Sequence, residues 1–510
     1  MKKIISVFFN APWYPIAISA YPVLALLNAN AGQIPPSAVI RPLLVSILFG
    51  ALLFFIVWLI FRHIHKAAFF TALLLTLFFT YGHAYIYIDG KYPKSNYTLW
   101  LAVGGIILFV LAIIWVARPK LTFVSSASTL NTIALALLVM SVGQIIFAGS
   151  PRSAHALGSK KAPIESDLVR PKNSSDVYFF LLDMYARSDL LKQAYGFDNS
   201  QFITGLEQRG FFVGKCSQSN YPRTELSLGS SLNMQYLQQL NDTFTPDNID
   251  RTALWDSLRH NAVRYNFESM GYQTITYETG YDWLDIKDAD HFMSPPAISS
   301  GMTEFEALFM RTTLARYAED FGLVNPDYLL GVEYRDRFKY IFNSIDGVAR
   351  MKQPTFSYIH IISPHPPFVF DAQGNPANPA DYWDEQRLYP EDLFQKGYVA
   401  QMQFLNKNML QAVDTILADS ETPPIIIIQG DHGPWLQPND KHLQILNAIY
   451  FPDHKDKLYS KLSPVNTFRL VFDTYFGGKY DILDDVSYYS PVPDVYNFTK
   501  MPYPCENPNN

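Results

Sequence analysis

In PPIIIIQGDHGPW, Pro423 to Trp435, four isoleucines run through Gln429 and Gly430 into Asp431 and His432. The β-branched run reads as a central strand covered on both faces, and its carboxyl end is where open α/β sheets bind ligands. DVYFFLLD, from Asp176, is a second short apolar strand, and it ends in Asp183. FSYIHIISPHPPF, from Phe356, is a third. His365 comes just past its end between Pro364 and Pro366, while His360, on the strand itself, reads as structural. Each segment alone has a plain alternative: a solvated turn, an Asp capping the next helix, a histidine in a proline-rich turn. Taken together, three parallel strands ending along one edge would bring carboxylates and imidazoles together as donors for a divalent cation.

A nucleophile is the missing part. SNYPRTELSLGSSLN, from Ser219, sets Thr224 before a short helical run starting at Glu225. A hydroxyl there is ordinarily an N-cap. The same place favours a phosphate, through free backbone N–H groups and the helix dipole. A hydroxyl can attack a phosphoryl group when a metal lowers its pKa. Asp183, Asp431, His432 and the Thr224 oxygen then make a four-ligand set suited to zinc or manganese. His442, ten residues after His432, reads with His365 as a contact to substrate oxygens or to a second metal; its alternative is a surface histidine in the PNDKH loop. Arg223 can neutralise a phosphate through a bidentate contact.

Elements able to position these groups begin after residue 150. The first 150 of 510 residues hold most of the long apolar runs. They read as about five membrane spans: Trp13 to Asn30, Ala38 to Phe61, Ala68 to Ile88, Thr98 to Ala117 and Asn131 to Gly149. Each is near the ~20 apolar residues that cross a bilayer as a helix. Pro15 and Pro22 interrupt the first. Lys2 and Lys3, Arg62 and Lys66, and Arg118 and Lys120 fall on one side. By the positive-inside rule that side is cytoplasmic, which puts everything after Ser150 outside. No span carries Asp, Glu, Lys or Arg near its middle, as a transport path would. Residues 151–175 read as a linker and 176–510 as an α/β domain with a central, mostly parallel sheet. The net charge of −6 gives no reason to expect nucleic acid as a partner. Two cysteines, Cys216 and Cys505, cannot build a disulfide framework or a cysteine-rich zinc site.

The ordered set resembles the alkaline phosphatase superfamily in its sulfatase-like branch, and most of all the membrane-anchored lipoteichoic acid synthases and phosphoethanolamine transferases. That family pattern has a strand-end acidic residue, a Thr nucleophile at a helix start, a late Asp-His pair and an S-H-x-P-type histidine. Here they correspond to Asp183, Thr224, Asp431 with His432, and His365, with His442 as a further histidine. The resemblance implies an extracytoplasmic catalytic domain, a phosphothreonine intermediate, a membrane phospholipid donor and a glycan, lipid or polymer acceptor. Departures are specific. T-E-L-S-L stands where sulfatases carry C/S-x-P-x-R, which argues against sulfate ester hydrolysis through formylglycine. Asp183 replaces the Glu of the two membrane enzyme groups, and Pro364 separates Ser363 from His365. The alternatives are an envelope phosphodiesterase or phosphatase using water, and an inactive module that binds envelope glycans or protein.

Overall fold

Apolar runs between Tyr14 and Gly149 form five helices: α1 (Tyr14–Ala29), α2 (Ile40–Phe61), α3 (Ile64–Lys91), α4 (Thr98–Val116) and α5 (Val124–Gly149). The computed structural model describes residues 10–30, 34, 36–92, 97–149, 167–296, 300–384, 388–436, 438, 439 and 441–503. Among them, four helices are long and apolar enough to cross a membrane, those beginning near Ser37, Ile64, Thr98 and Val124. α1 has 16 residues with Pro22 inside it, short of the ~20 that span a bilayer. Leucines, isoleucines and tryptophans along α4 are exposed. A helix apolar all round and unburied by protein is one whose solvent is lipid. The loops after α2 and α4 lie together, because the Lys66 ammonium donates to the Arg118 carbonyl at 2.9 Å.

Strands β1 (Val177–Leu182), β2 (Phe212–Val213), β3 (Gln273–Tyr277), β4 (His291–Met293), β5 (Thr355–Ile361), β6 (Ile425–Gly430) and β7 (Asn447–Tyr450) form one sheet in the order β2-β7-β6-β1-β5-β3-β4. The pairs β6-β1, β1-β5, β5-β3 and β3-β4 are parallel; β7 pairs antiparallel with β6 and with β2. β1, β5 and β6 are buried at every residue, which is why they read as unbroken apolar runs. The helices that matter below are α6 (Thr224–Ser231), α7 (Glu304–Arg311), α8 (Arg316–Asp320), α9 (Pro326–Ala349), α10 (Glu391–Asp419) and α11 (Pro464–Tyr475). One core joins Val177, Phe179 and Leu181 of β1 to Phe468, Val471 and Phe472 of α11.

The chain divides into a helical unit, Met1–Arg152 with Met302–Leu330, and an α/β unit, Ser153–Gly301 with Gly331–Asn510. Sequence pattern assigns all of 176–510 to the outer domain. In the structure the stretch carrying α7 and α8 belongs instead with the apolar helices, a pairing of residues distant in sequence that no local pattern encodes. Cys505 lies outside the described residues.

Candidate functional site

The three central strands stop in register. Leu182 pairs with Ile361 on one side and with Gly430 on the other, so Asp183 and Asp431 leave the sheet at the same edge. Two glycines let the Asp431-His432 turn fold tightly. A Cβ on Gly430 would lie 2.4 Å from the Tyr185 carbonyl oxygen, and one on Gly433 2.9 Å from that of His442. Met184, next to Asp183, has φ of 65°, a left-handed conformation that strains a non-glycine residue. Hydrogen bonds hold the turn. Asp431 Oδ1 accepts the N–H of Met184 at 2.9 Å and of His432 at 2.8 Å, and the Tyr398 hydroxyl of α10 donates to the Met184 carbonyl at 2.7 Å.

The other carboxylate oxygens are left over. Asp183 Oδ1 and Asp431 Oδ2 are buried without a hydrogen-bond partner. Leaving such groups unsatisfied is costly. His432 Nδ1 donates to the Gly433 carbonyl at 2.8 Å, which leaves the Nε2 lone pair facing inward. That Nε2 lies 3.5 Å from Asp431 Oδ2, 4.0 Å from Asp183 Oδ1 and 3.2 Å from Thr224 Oγ1. Donors that converge while buried and unpaired fit a divalent cation.

Thr224 does not cap its helix. The expectation of a helix from Glu225 is shifted by one residue: α6 starts at Thr224 with Arg223 in the cap position and no side-chain cap hydrogen bond. The Thr224 hydroxyl is thereby free to face His432. Arg223 donates from Nη2 to Ser490 Oγ at 3.0 Å, while its Nε and Nη1 are buried without partners. A guanidinium with two unspent donor nitrogens, next in sequence to Thr224 and near enough to His442 to lower its basicity, suits an anion. His442 joins through His432, with Nε2 3.2 Å from its Nδ1. His365 stands beside Asp183: its N–H donates to the Asp183 carbonyl at 3.2 Å, and its ring meets that of Trp435 with centroids 5.2 Å apart.

His360 departs from expectation. Its place in an apolar strand reads as structural, yet a ligand atom from each of Asp183, His360 and Asp431 lies within 4.8 Å of the others. His360 Nε2 is 3.4 Å from Asp183 Oδ2, and neither ring nitrogen has a hydrogen bond. The available signal is an imidazole inside an otherwise apolar, wholly buried strand.

Charges in the cluster pull in opposite directions. Burial works against ionising Asp183, but His365, His360 and His432 outweigh it and hold the carboxyl down at about 2. Asp431 goes the other way, raised by burial and by the neighbouring Asp183 charge. Burial lowers the basicity of His432, yet Asp431 and Asp183 prevail and raise it. His442 is driven down to about 3 by burial, with His432 and Arg223 adding to it; it is neutral at physiological pH. Two neighbouring carboxyls shifted in opposite directions beside unpaired donors make this a candidate reactive or cation-binding site.

No family model matches this sequence, and a search of curated proteins finds no relative. Solved structures are similar in fold. The periplasmic domain of EptC from Escherichia coli, in a zinc complex, matches at 12% identity over 67% of this chain and 96% of its own, TM-score 0.44. The integral membrane lipooligosaccharide phosphoethanolamine transferase EptA of Neisseria meningitidis matches at 13% identity over 92% of this chain and 95% of its own, TM-score 0.40. The phosphonate monoester hydrolase of Agrobacterium radiobacter matches at 12% over 62% and 80%, TM-score 0.36. The structure displays directly the expected class of architecture: apolar helices long enough to span a membrane, then an α/β domain on a mostly parallel sheet.

Proposed function

We propose that this chain is a membrane-anchored, metal-dependent phosphotransferase that moves a phospho-head group from a membrane phospholipid to an acceptor hydroxyl outside the cytoplasm. One observation carries the reading. The Thr224 hydroxyl, at a helix start, faces His432 Nε2 at 3.2 Å, beside two buried carboxylate oxygens without partners. Asp183, Asp431 and His432 would hold the cation, zinc or manganese by their mixed oxygen and nitrogen donors, with His360 beside them. When bound, the cation lowers the pKa of a hydroxyl and offsets phosphoryl charge.

Thr224 Oγ forms the new bond to phosphorus, the bond to the diacylglycerol oxygen breaks, and the hydroxyl proton ends on the departing alcohol. The hydroxyl oxygen of a glycan, lipid or polymer then bonds to the phosphorus of this phosphothreonine, the bond to Thr224 Oγ breaks, and the acceptor's proton passes to Oγ, which restores Thr224. Arg223 meets the phosphoryl oxygens with its unspent Nε and Nη1 donors, and His442 and His365 complete the anion's hydrogen bonds. Water in place of the acceptor makes the same site a phosphodiesterase.

The test is mass spectrometry of Thr224 in protein from its native membrane, together with head-group transfer from a labelled phospholipid. Thr224→Ala should lose the phospho-adduct and lower transfer by orders of magnitude. Its melting temperature should change little, because no cap hydrogen bond is lost. Thr224→Ser should keep part of the activity. A Thr224→Ala enzyme with near-normal turnover would sink the mechanism.

A further inference from the structure

The stretch between residues 302 and 330 interrupts the α/β unit in sequence and packs with the apolar helices. Its attachment is detailed. Helix α7 opens with a Thr303–Glu306 capping box, and Glu306 also pairs with Arg41 at the start of α2. Phe305 is buried with Val23 and Leu27 of α1 and with Val39. The turn after α7 lies directly on α3: Leu314 N–H donates to the Phe78 carbonyl at 2.8 Å. A Cβ on Gly82 would sit 2.2 Å from the Thr312 carbonyl carbon, so only glycine admits this approach. Tyr81 and Tyr317 share a hydroxyl–hydroxyl bond of 2.5 Å, and the Arg316 guanidinium lies 3.3 Å above the Tyr85 ring.

The depth of these contacts is informative. Helix α3 has 28 residues, roughly 42 Å at 1.5 Å per residue. Counted from Ala67, just past the basic Arg62–Lys66 turn, a hydrocarbon core of ~30 Å ends near Tyr87. Tyr85 then lies ~3 Å, and Tyr81 and Gly82 ~8–9 Å, below the boundary away from that basic turn, while Phe78 lies ~14 Å below it, so the Leu314 turn dips into the acyl region. The segment they hold carries exposed apolar residues. Phe321 is 74% and Leu323 79% exposed, and Phe321 stacks on Tyr317 with ring centroids 5.6 Å apart. Its charges are paired within the protein, Arg311 with Glu319 and Asp327, and Arg316 with Asp320. Paired charge, interfacial tyrosines and bare Phe and Leu suit the boundary between headgroups and acyl chains.

We infer that Met302–Leu330 is a membrane-interface element that inserts Phe321 and Leu323 into the leaflet on the side of Arg41. The occupant of the exposed face is bilayer lipid, argued from its continuity with the spanning helices.

The test is spin labelling of the full chain in phosphatidylglycerol/phosphatidylethanolamine vesicles, with Leu323→Cys, Val492→Cys and Leu108→Cys labelled separately. Val492 is 74% exposed in the α/β unit and Leu108 52% exposed on α4, so they report water and lipid. The Leu323 label should collide readily with oxygen and poorly with a water-soluble nickel chelate, as the Leu108 label does. A profile like that of Val492, or shielding from both reagents by another protein surface, would overturn the inference. This readout needs no activity, so it stands or falls separately from the proposed chemistry. With activity in hand, a Phe321→Ser/Leu323→Ser variant should lose at least tenfold in transfer from vesicle lipid. It should stay within twofold of the parent on a soluble phosphodiester. Equal loss on both substrates would also count against the inference.

Discussion

His360 separates a ligand cluster from a packed core more sharply than any other side chain here. It is wholly buried, and neither ring nitrogen has a hydrogen bond. As part of the donor cluster, its loss should weaken zinc binding by about 10–100-fold, the scale on which even outer partners of a metal act. Asp431→Ala and His432→Ala should abolish binding outright. Zinc titration of the detergent-solubilised full chain, read by competition with a chromophoric chelator, gives the order directly. Unchanged zinc affinity in His360→Ala would return that residue to the core, and full occupancy in Asp431→Ala would remove the metal site altogether. Asp183, Asp431 and His432 are legible in sequence as candidates because each stands where an apolar run breaks, and Thr224 because its hydroxyl precedes a short helical run. His360 is not, because a strand buried on both faces has no alternation to show which side chain faces the open edge.

At the scale of elements, glycines decide how closely backbones meet. Gly430 ends β6 with its α-carbon against the Tyr185 carbonyl, and a methyl group at 2.4 Å cannot fit without moving the turn that presents Asp431. Gly430→Ala should therefore cost about 1–3 kcal/mol, as overpacking does, and reduce metal binding with it. A Cβ on Gly347, inside α9, would meet nothing within 4 Å. Gly347→Ala should be neutral or stabilising by up to about 1 kcal/mol, through helix propensity. Thermal melting of both variants checks the pair, and equal melting temperatures would show that the Gly430 turn yields freely. Hydropathy places α3 and α4 within a few residues, Thr98–Ala117 against Thr98–Val116 for α4 and Ala68–Ile88 against Ile64–Lys91 for α3, but α5 starts at Val124, seven residues before the expected Asn131. Their composition alone demands lipid. The excursion through α7 and α8 escapes a sequence reading because its apolar residues at helical spacing look like those of any soluble domain. What distinguishes it is a glycine on α3, more than 200 residues away, that leaves room for its backbone.

For the whole molecule, orientation decides which substrates can reach the site. The expectation that the amino terminus is cytoplasmic rests on basic residues counted loop by loop. Lys2 and Lys3 lie outside the described residues, but the other two basic loops are in contact, Lys66 reaching the Arg118 carbonyl. That contact puts the Arg62–Lys66 and Arg118–Lys120 turns at one face of the helical unit, the arrangement the positive-inside reading expects. On the proposed reading that face is cytoplasmic, and the leaflet holding Phe321 and Leu323 is the outer one, the leaflet that an extracytoplasmic enzyme would have to draw on for its donor. Protease added to intact spheroplasts should accordingly remove the region after Ser150 and spare the cationic loops, while permeabilised cells should lose both. A single charge-reversed set, Arg62→Glu with Lys66→Glu, Arg118→Glu and Lys120→Glu, should disturb insertion, whereas the same number of changes on the exposed surface of the α/β unit should not. Protection of the α/β unit in intact spheroplasts would reverse the orientation, and with it the phospholipid leaflet and acceptors available to Thr224.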